Sequence, residues 1–245
     1  TGIIAIDTVS GGSATENDTQ VVTITITNNG PTVTLTSSAS SIAENSVSSL
    51  TLTATLSGTT SEDVTVSLST LGTGTEGTDY GSLSTITVTA GQTEGTASFT
   101  PTDDSVYEND ETAIISIDSV SGADATESGT QSVTITVTEN ESSPTVSLSS
   151  TGTTVFDNGS DITFTATSTQ IADEDITVSI SDHTGTATPG TDFGAITEIT
   201  ITAGQTEGTA TFNPTSDTVN EGSETAIIAI LGVSGADATT SGTTS

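Results

Sequence analysis

The chain contains no lysine and no arginine among its 245 residues, yet it carries 32 aspartate and glutamate residues and a formal charge of −32. Charged residues make up 13% of the sequence, about half of the ~25% usual in globular proteins, so the anomaly is the missing cations. Binding to DNA, RNA or an anionic membrane surface needs cationic contacts, which this composition lacks. We therefore expect positively charged ions as partners and no nucleic acid.

Cysteine, methionine and tryptophan are also absent. The chain has neither disulfides nor thiol ligands, and no lysine, cysteine or second histidine is available to activate a serine. The one histidine, His183, lies in a predicted loop, where we expect a surface residue. We predict that the protein is not an enzyme. No apolar run approaches the roughly 20 residues of a membrane span, so we expect no membrane insertion, and a secretion signal would lie outside this sequence.

What the chain has in abundance is internal repetition. PTVTLTSS, which begins at Pro31, returns as PTVSLSS at Pro144, and AGQTEGTASF at Ala90 returns as AGQTEGTATF at Ala203. Both pairs are separated by the same number of positions, so two long copies run in register. Such a period indicates a tandem array.

We divide the chain into residues 1–30, the C-terminal strands of a preceding repeat, residues 31–143, a complete repeat, and residues 144–245, a second repeat that lacks its last strand. A unit of this length is the size of an autonomous domain, so we expect beads on a rod. The prolines that open each repeat, Pro31 and Pro144, fix φ and stiffen the joints. We expect both ends of the sequence to be cuts through a longer protein.

Apolar residues alternate with threonine and serine, as in LTLTATL at 50–56, and this period predicts half-buried strands, whereas no segment has a helical period. Seven strands are predicted in the complete repeat, near 32–36, 49–57, 63–69, 84–89, 95–100, 111–118 and 131–138. Seven short antiparallel strands in about 110 residues predict an all-β sandwich of immunoglobulin type.

The predicted cores are aliphatic and small. In the complete repeat the core is predicted to contain Val33, Leu35, Leu50, Leu52, Leu56, Val64, Val66, Leu68, Ile86, Val88, Phe99, Ile115, Ile117, Val133, Ile135 and Val137. In the second repeat it is predicted to contain Val146, Leu148, Ile162, Phe164, Val178, Ile180, Ile199, Ile201, Phe212, Ile228 and Ile230. A core of this kind gives modest stability unless the loops are cross-linked by something else.

The carboxylates cluster between the predicted strands. In the complete repeat they lie in SIAENS, GTEGTDY, PTDDSVYENDE and TENE. Loops at strand ends can converge at one pole of a sandwich, where six or more carboxylates without a counter-cation repel one another unless a metal lies among them. Hard oxygen ligands in flexible loops favour Ca²⁺ over Zn²⁺ or Mg²⁺. Solvated turns are the alternative, because aspartate and asparagine are common turn residues.

With these motifs, and with ITVTAGQTEGTASF between two predicted strands, the chain resembles the Calx-beta family, the calcium-binding sandwich module of sodium/calcium exchangers and of giant bacterial surface proteins. The resemblance covers nearly the whole sequence and implies tandem Calx-beta sandwiches that bind Ca²⁺ at acidic poles. The ligands that it implies are Glu44, Asp79, Asp103, Asp104, Glu108, Glu111, Glu139 and Glu141 in the complete repeat, and Asp157, Asp192, Asp217, Glu221 and Glu224 in the second. Ser216 replaces the first aspartate of the pair in the second repeat, so we expect a weaker site there.

Our leading hypothesis for function is a segment of a long secreted filament or adhesin on a bacterial cell surface, stiffened by calcium and serving adhesion, biofilm formation or gliding, as in flavobacterial gliding adhesins. We expect neighbouring repeats as its protein partners, together with lateral self-association of filaments. The alternative is a calcium-sensing regulatory module like that of the exchangers, which needs micromolar affinity and a cytosolic setting. A passive acidic spacer and a pole that binds glycans through calcium are further alternatives.

Overall fold

A computed structural model describes residues 2–8, 10–15, 20–26, 29–83, 85–181, 184–219 and 222–241. Regular structure in these residues consists of β-strands, which confirms the predicted all-β fold. Within these ranges no helix has the length and apolar character needed to cross a membrane. His183 and Glu221, both singled out in the sequence, lie outside the described residues.

The first described segment is a β-hairpin. It consists of β1 (Gly2–Ala5) and β2 (Val21–Ile24), which pair antiparallel with Gly2 opposite Ile24. Every residue of both strands is exposed, so this hairpin contributes no buried side chain to a core.

The first repeat folds as two facing sheets. Its strands are β3 (Thr32–Ser37), β4 (Ser41–Ala43), β5 (Leu50–Leu56), β6 (Val64–Gly72), β7 (Ile86–Val88), β8 (Glu94–Phe99), β9 (Val106–Tyr107), β10 (Glu111–Ser121), β11 (Thr126–Glu127) and β12 (Ser132–Thr138). One sheet has the order β4-β12-β10-β6-β7 and the other β11-β3-β5-β8. The seven predicted strands correspond to β3, β5, β6, β7, β8, β10 and β12.

Three short strands were not predicted, and each of them pairs parallel with its neighbour. β4 pairs with β12, β11 pairs with β3, and β9 pairs with a strand of the second repeat. Strands of two or three residues are too short to show a period of two, and parallel pairing at a sheet edge depends on distant residues. The seven predicted strands pair antiparallel as expected, and the three short strands add parallel pairs to them.

The first core lies between the two sheets, with the threonines of each strand facing outward. Leu52 and Leu56 are buried, and Tyr80 stacks on Phe99 with ring centroids 4.9 Å apart. Tyr80 was missed because it lies in a loop rather than in a periodic strand. Among the predicted core residues Leu50, Leu68 and Val133 are only partly buried; Leu50 and Val133 lie near strand ends, and Leu68 lies beside a bulge in β10.

The second repeat has the same plan with shorter elements. Its strands are β13 (Thr145–Ser150), β14 (Ile162–Ser168), β15 (Ile171–Ala172), β16 (Ile176–Ile180), β17 (Thr184–Gly185), β18 (Glu198–Ile201), β19 (Glu207–Phe212), β20 (Ala226–Ile227), β21 (Ile230–Ser234) and β22 (Thr239–Thr240). The sheets have the orders β19-β14-β13-β22 and β18-β16-β21, with β17 paired to β20. Phe193 stacks on Phe212 at 4.6 Å, as Tyr80 stacks on Phe99.

The second core is less closed than predicted. Six residues predicted to be buried are only partly so, namely Leu148, Ile162, Phe164, Phe212, Ile228 and Ile230. Ile228 and Ile230 correspond to Ile115 and Ile117. These two residues of β10 are buried, and β10 pairs with β12 in the same sheet. Among the described residues of the second repeat no strand takes the place of β12, so this side of its sheet stays partly open.

Candidate metal centre

Strand pairing brings the acidic segments of the first repeat to one end of the sandwich. Because β4 and β12 run parallel, they end at the same edge, and the backbone N–H of Glu44 after β4 donates to the carbonyl of Thr138 at 3.0 Å. Glu111 begins β10 directly opposite Val137 near the end of β12. The same edge therefore receives residues from a loop before β10, from the end of β4 and from the linker after β12.

Three carboxylates form a group that we name the linker cluster: Glu44, Glu139 and Glu141. One oxygen from each lies within 4.8 Å of the others, and Glu44 is only 5% exposed. The carboxylate of Glu139 accepts hydrogen bonds from the backbone N–H groups of Asn140 and Glu141, both at 2.6 Å. Oε2 of Glu141 is buried and accepts no hydrogen bond from any residue that the structure describes.

A second group, the loop cluster, consists of Asp79, Glu108 and Glu111, again with one oxygen from each within 4.8 Å of the others. Asp79 is 7% exposed, and its carboxylate accepts a hydrogen bond from the backbone N–H of Thr75 across a tight turn. In that turn Gly77 has a φ of 91°, which favours glycine. The carboxyl of Glu111 lies within hydrogen-bonding reach of that of Asp79. Two carboxylates can share such a contact only with a proton or a cation between them.

The two clusters form one site, which we call the acidic pole. The backbone N–H of Glu108 in the loop cluster donates to Oε2 of Glu139 in the linker cluster. A cleft of about 10 Å³ lies between them, roughly the space of one water-sized sphere. It is lined by Glu44, Asp79, Glu108, Asn109, Glu111, Val137 and Glu139. Asn109, which sequence reasoning missed, is one of these lining residues; its place inside the ENDE motif was the available signal.

Four carboxyl groups of the acidic pole, those of Glu44, Glu108, Glu111 and Glu141, have raised pKa values. Burial, followed by the charge of Asp79, raises the pKa of Glu108 to about 7. Burial and then the contact with Asp79 raise the pKa of Glu111 to about 8, and a hydrogen bond with Glu139, ahead of burial, raises that of Glu141 to about 7. Burial also raises the pKa of Glu44, although the backbone N–H of Asp104 opposes it. A bound cation would reverse these shifts.

Asp103 and Asp104 lie outside both clusters. Both are exposed on the loop before β9. The backbone N–H of Asp104 donates to Oε1 of Glu44 at 3.0 Å, and its carboxylate accepts from the N–H of Val106 at 2.7 Å. These contacts order the rim of the pole. Ligation by the two aspartates stays a prediction.

The second repeat retains the local loops, but the acids that the structure describes there form no group like those of the first repeat. Asp192 accepts from the N–H of Thr188 as Asp79 does from Thr75, and Asp217 accepts from Val219 as Asp104 does from Val106. Asp157 and Glu224 are exposed. Within the described ranges, groups of three or more possible metal ligands occur in the first repeat only. Ligation by Asp157, Asp192, Asp217, Glu221 and Glu224 stays a prediction.

One further carboxylate faces the acidic pole from the second repeat. This residue is Asp173, whose backbone N–H donates to the carbonyl of Tyr107 at 3.2 Å. Burial and then Glu174 raise its pKa, with smaller contributions from Asp79 and Glu139. Sequence reasoning missed this residue, although Asp173 stands where the first repeat has Ser61, and that difference between the copies was a signal.

The donor set fits a hard cation. Both clusters offer only oxygen ligands, and the acidic pole gathers six carboxylates, within the range of six to eight oxygens that Ca²⁺ takes. Zn²⁺ prefers tetrahedral nitrogen and sulfur ligands, which the clusters do not contain.

Comparison with known proteins gives matches to solved structures and to one family. CBD12 from CALX1.2 is 17% identical with a TM-score of 0.40, covering 75% of this chain and 74% of that one. The apo-form Calx CBD1 domain is 20% identical with a TM-score of 0.39, covering 46% and 100% respectively. No curated protein sequence matches the chain. The family model of the Calx-beta domain matches residues 26–141 and 139–241, and the chain therefore belongs to the Calx-beta family.

Proposed function

We propose that the acidic pole of the first repeat binds Ca²⁺ and that the chain is a calcium-stiffened structural segment of a long secreted filament or adhesin on a bacterial cell surface. One observation carries the calcium assignment. Six carboxylates converge in a chain that has no lysine or arginine, and one of their oxygens, Oε2 of Glu141, is buried without a hydrogen-bond partner among the described residues. A cation supplies the missing counter-charge.

Calcium binding would stiffen the joint between repeats because part of the ligand set lies in the linker. Glu139 and Glu141 follow β12 and precede Pro144, whereas Glu44 and the loop cluster belong to the body of the first repeat. An ion that contacts both parts holds the linker against the body. The role of the bound ion is then mechanical, and it needs no conformational signal.

The filament role rests on the sequence and its charge. Two long copies follow each other with nearly identical segments, as in tandem arrays that span a distance. A charge of −32 without any cation keeps such chains apart and extended, and it leaves no site for proteases that cut after lysine or arginine. Adhesion, biofilm formation and gliding are the activities that we propose for this array, with neighbouring repeats as its partners.

The test is a calorimetric melt of the chain in EGTA and in a calcium series. We expect the melting temperature of the first repeat to rise at millimolar Ca²⁺, because extracellular modules bind Ca²⁺ with a Kd of roughly 10⁻⁴–10⁻³ M. A rise that saturates at micromolar Ca²⁺ would favour the alternative, a calcium-sensing regulatory module. An unchanged melt would leave a passive acidic spacer.

A double variant and its charge-matched control assign the effect to the pole. Glu108→Gln with Glu111→Gln removes two ligands of the loop cluster and should abolish the calcium-dependent rise. Glu62→Gln with Glu94→Gln removes the same charge from exposed positions of the same repeat and should preserve it. Equal loss in both variants would assign the calcium effect to general charge screening.

A further inference from the structure

Tyr107 belongs to the first repeat in sequence but to the second repeat in packing. It lies in β9, between the acids of the pole, and β9 pairs with β15, with Val106 opposite Ile171 and Tyr107 opposite Ala172. Its side chain is 7% exposed and is a member of the second hydrophobic core. The first repeat thus places an aromatic side chain inside its neighbour.

Both polar ends of this tyrosine are bound by the second repeat. Its hydroxyl donates to Oδ2 of Asp237 at 3.2 Å, and its carbonyl accepts from the N–H of Asp173 at 3.2 Å. A carboxylate oxygen can only accept, so the Tyr107 hydroxyl is the donor in this contact. A buried tyrosine with a satisfied hydroxyl combines apolar packing with a directional contact.

The surface that receives Tyr107 is formed in part by a strained turn. Ala236 and Asp237 have φ values of 50° and 46°, a region that residues other than glycine rarely adopt. Oε2 of Glu174 accepts from the N–H of Ala236 at 3.2 Å and holds the turn. We call Ile171, Ala172, Ala236 and Asp237 the acceptor surface. The turn presents the Asp237 carboxylate to the tyrosine.

We propose that Tyr107 and the acceptor surface form a metal-independent joint that makes the stability of the second repeat depend on the first. The ring of Tyr107 is a buried member of the second core, so its removal leaves a cavity in that core. The strand pairing and the hydrogen bonds of the joint are made by protein groups that belong to neither the linker cluster nor the loop cluster. The joint is therefore distinct from the proposed calcium site.

The joint also defines which following repeat fits. The first repeat has the same strained turn at Ala123 and Asp124, with φ values of 52° and 53°, but Thr59 and Thr60 stand where the second repeat has Ile171 and Ala172. The second repeat in turn has Asn220 at the position of Tyr107. The partner of a Val–Tyr loop is thus a repeat that carries an Ile–Ala pair beside a Gly–Ala–Asp turn, and joints of other composition lack this contact.

The first experiment is hydrogen exchange of the full chain in EDTA, with and without Tyr107→Asn, the residue found at the equivalent position of the second repeat. We expect the amides of β16 in the second repeat to exchange at least tenfold faster in the variant, while those of β5 in the first repeat keep their protection. Unchanged exchange in β16, or an equal loss in β5, would overturn the proposal.

Two further variants guard against simple misfolding. Tyr107→Phe keeps the ring and loses only the hydrogen bond to Asp237, so we expect a smaller acceleration of exchange in β16 than for Tyr107→Asn. Phe156→Asn removes an aromatic side chain from the second repeat itself, at a site that is 80% exposed, and should leave β16 unchanged. Exchange in β16 that responds more to Phe156→Asn than to Tyr107→Asn would contradict the joint.

The geometry of the joint can be measured separately. Because the chain has no cysteine, Thr51→Cys and Thr211→Cys, at exposed positions in the two repeats, allow one pair of spin labels. In EDTA we expect a narrow distance distribution that broadens when Tyr107→Asn is added. A distribution that is already broad without the third substitution, and narrows only with Ca²⁺, would show that the metal alone orders the joint.

Discussion

The two repeats carry the same acidic loops, yet only the first assembles them into clusters within the described residues. The turn that orients Asp79 recurs at Asp192, with the same backbone hydrogen bond. In the first repeat β12 pairs with β4 beside Glu44, and the linker after β12 supplies Glu139 and Glu141. Local sequence thus orients each carboxylate, but a distant strand brings the carboxylates together.

The region equivalent to β4 has a different conformation in the second repeat. Phe156 and Asp157 lie on a loop and are exposed, and the Asp157 carboxylate accepts a hydrogen bond from the N–H of the next residue, Asn158, at 2.8 Å. In the first repeat the corresponding segment pairs with β12 and buries Ile42 and Glu44.

The largest effect that we predict concerns the hydrophobic cores of the two repeats. Ile115→Ala removes a fully buried side chain and should cost about 2–5 kcal/mol of unfolding free energy. Ile228→Ala changes the equivalent, partly buried residue and should cost about half as much, because that site is already open to solvent. Urea denaturation of the two variants measures both values. Equal costs would mean that the second core is as closed as the first.

The second largest effect is a difference between the two repeats in how far calcium raises their melting temperatures. At a Ca²⁺ concentration of about 100 Kd, one site adds about 2.7 kcal/mol to the first repeat, which raises its melting temperature by about 10 °C. The melting temperature of the second repeat should rise less, because its described acids form no cluster. Glu139→Gln with Glu141→Gln removes two ligands of the linker cluster and should remove the rise. Calorimetry measures this effect, and a rise that persists in the double variant would exclude the linker cluster as a calcium site.

The third prediction concerns pH without calcium. The folded-state pKa values of Glu108, Glu111 and Glu141 are raised from 4.5 to about 7–8, so folding takes up protons in this range. Their contribution to stability is full below about pH 4.5 and is lost as the pH rises to 8. In EDTA the melting temperature of the first repeat should therefore rise as the pH is lowered from 8 to 5. Saturating Ca²⁺ should weaken or reverse this trend. A melting temperature that falls on acidification in EDTA would contradict the prediction.

The smallest effect should come from Asp173, which faces the acidic pole from the second repeat. Asp173→Asn removes one exposed negative charge near Glu108 and Glu111 and should weaken calcium binding by about twofold to fivefold. Asp161→Asn, an exposed aspartate of the same repeat away from the pole, is the matched control. Isothermal titration calorimetry can resolve the difference in calcium affinity. Equal affinities in both variants would show that Asp173 does not contribute to the calcium site.

Much of the fold could be predicted because it depends on local pattern. The alternation in LTLTATL places Leu52 and Leu56 inside and the threonines outside, as the structure confirms. Tyr80 could not be predicted in the core, since a loop with no period carries it inward. For the site, the acidic motifs indicated the pole, but the division into two clusters, with Asp103 and Asp104 outside them, depends on the packing of loops that are far apart in sequence.

Local pattern and composition are enough to establish the strand period, the tandem repetition and the lack of lysine and arginine. These properties depend on neighbours within a few residues or on overall composition, so they can be derived without coordinates. Which carboxylates meet, and the burial of Tyr107 in the following repeat, depend on tertiary packing. Both outcomes follow from parallel pairing of very short strands, β4 with β12 and β9 with β15, whose partners lie about 65 to 95 residues away and leave no periodic trace in the sequence.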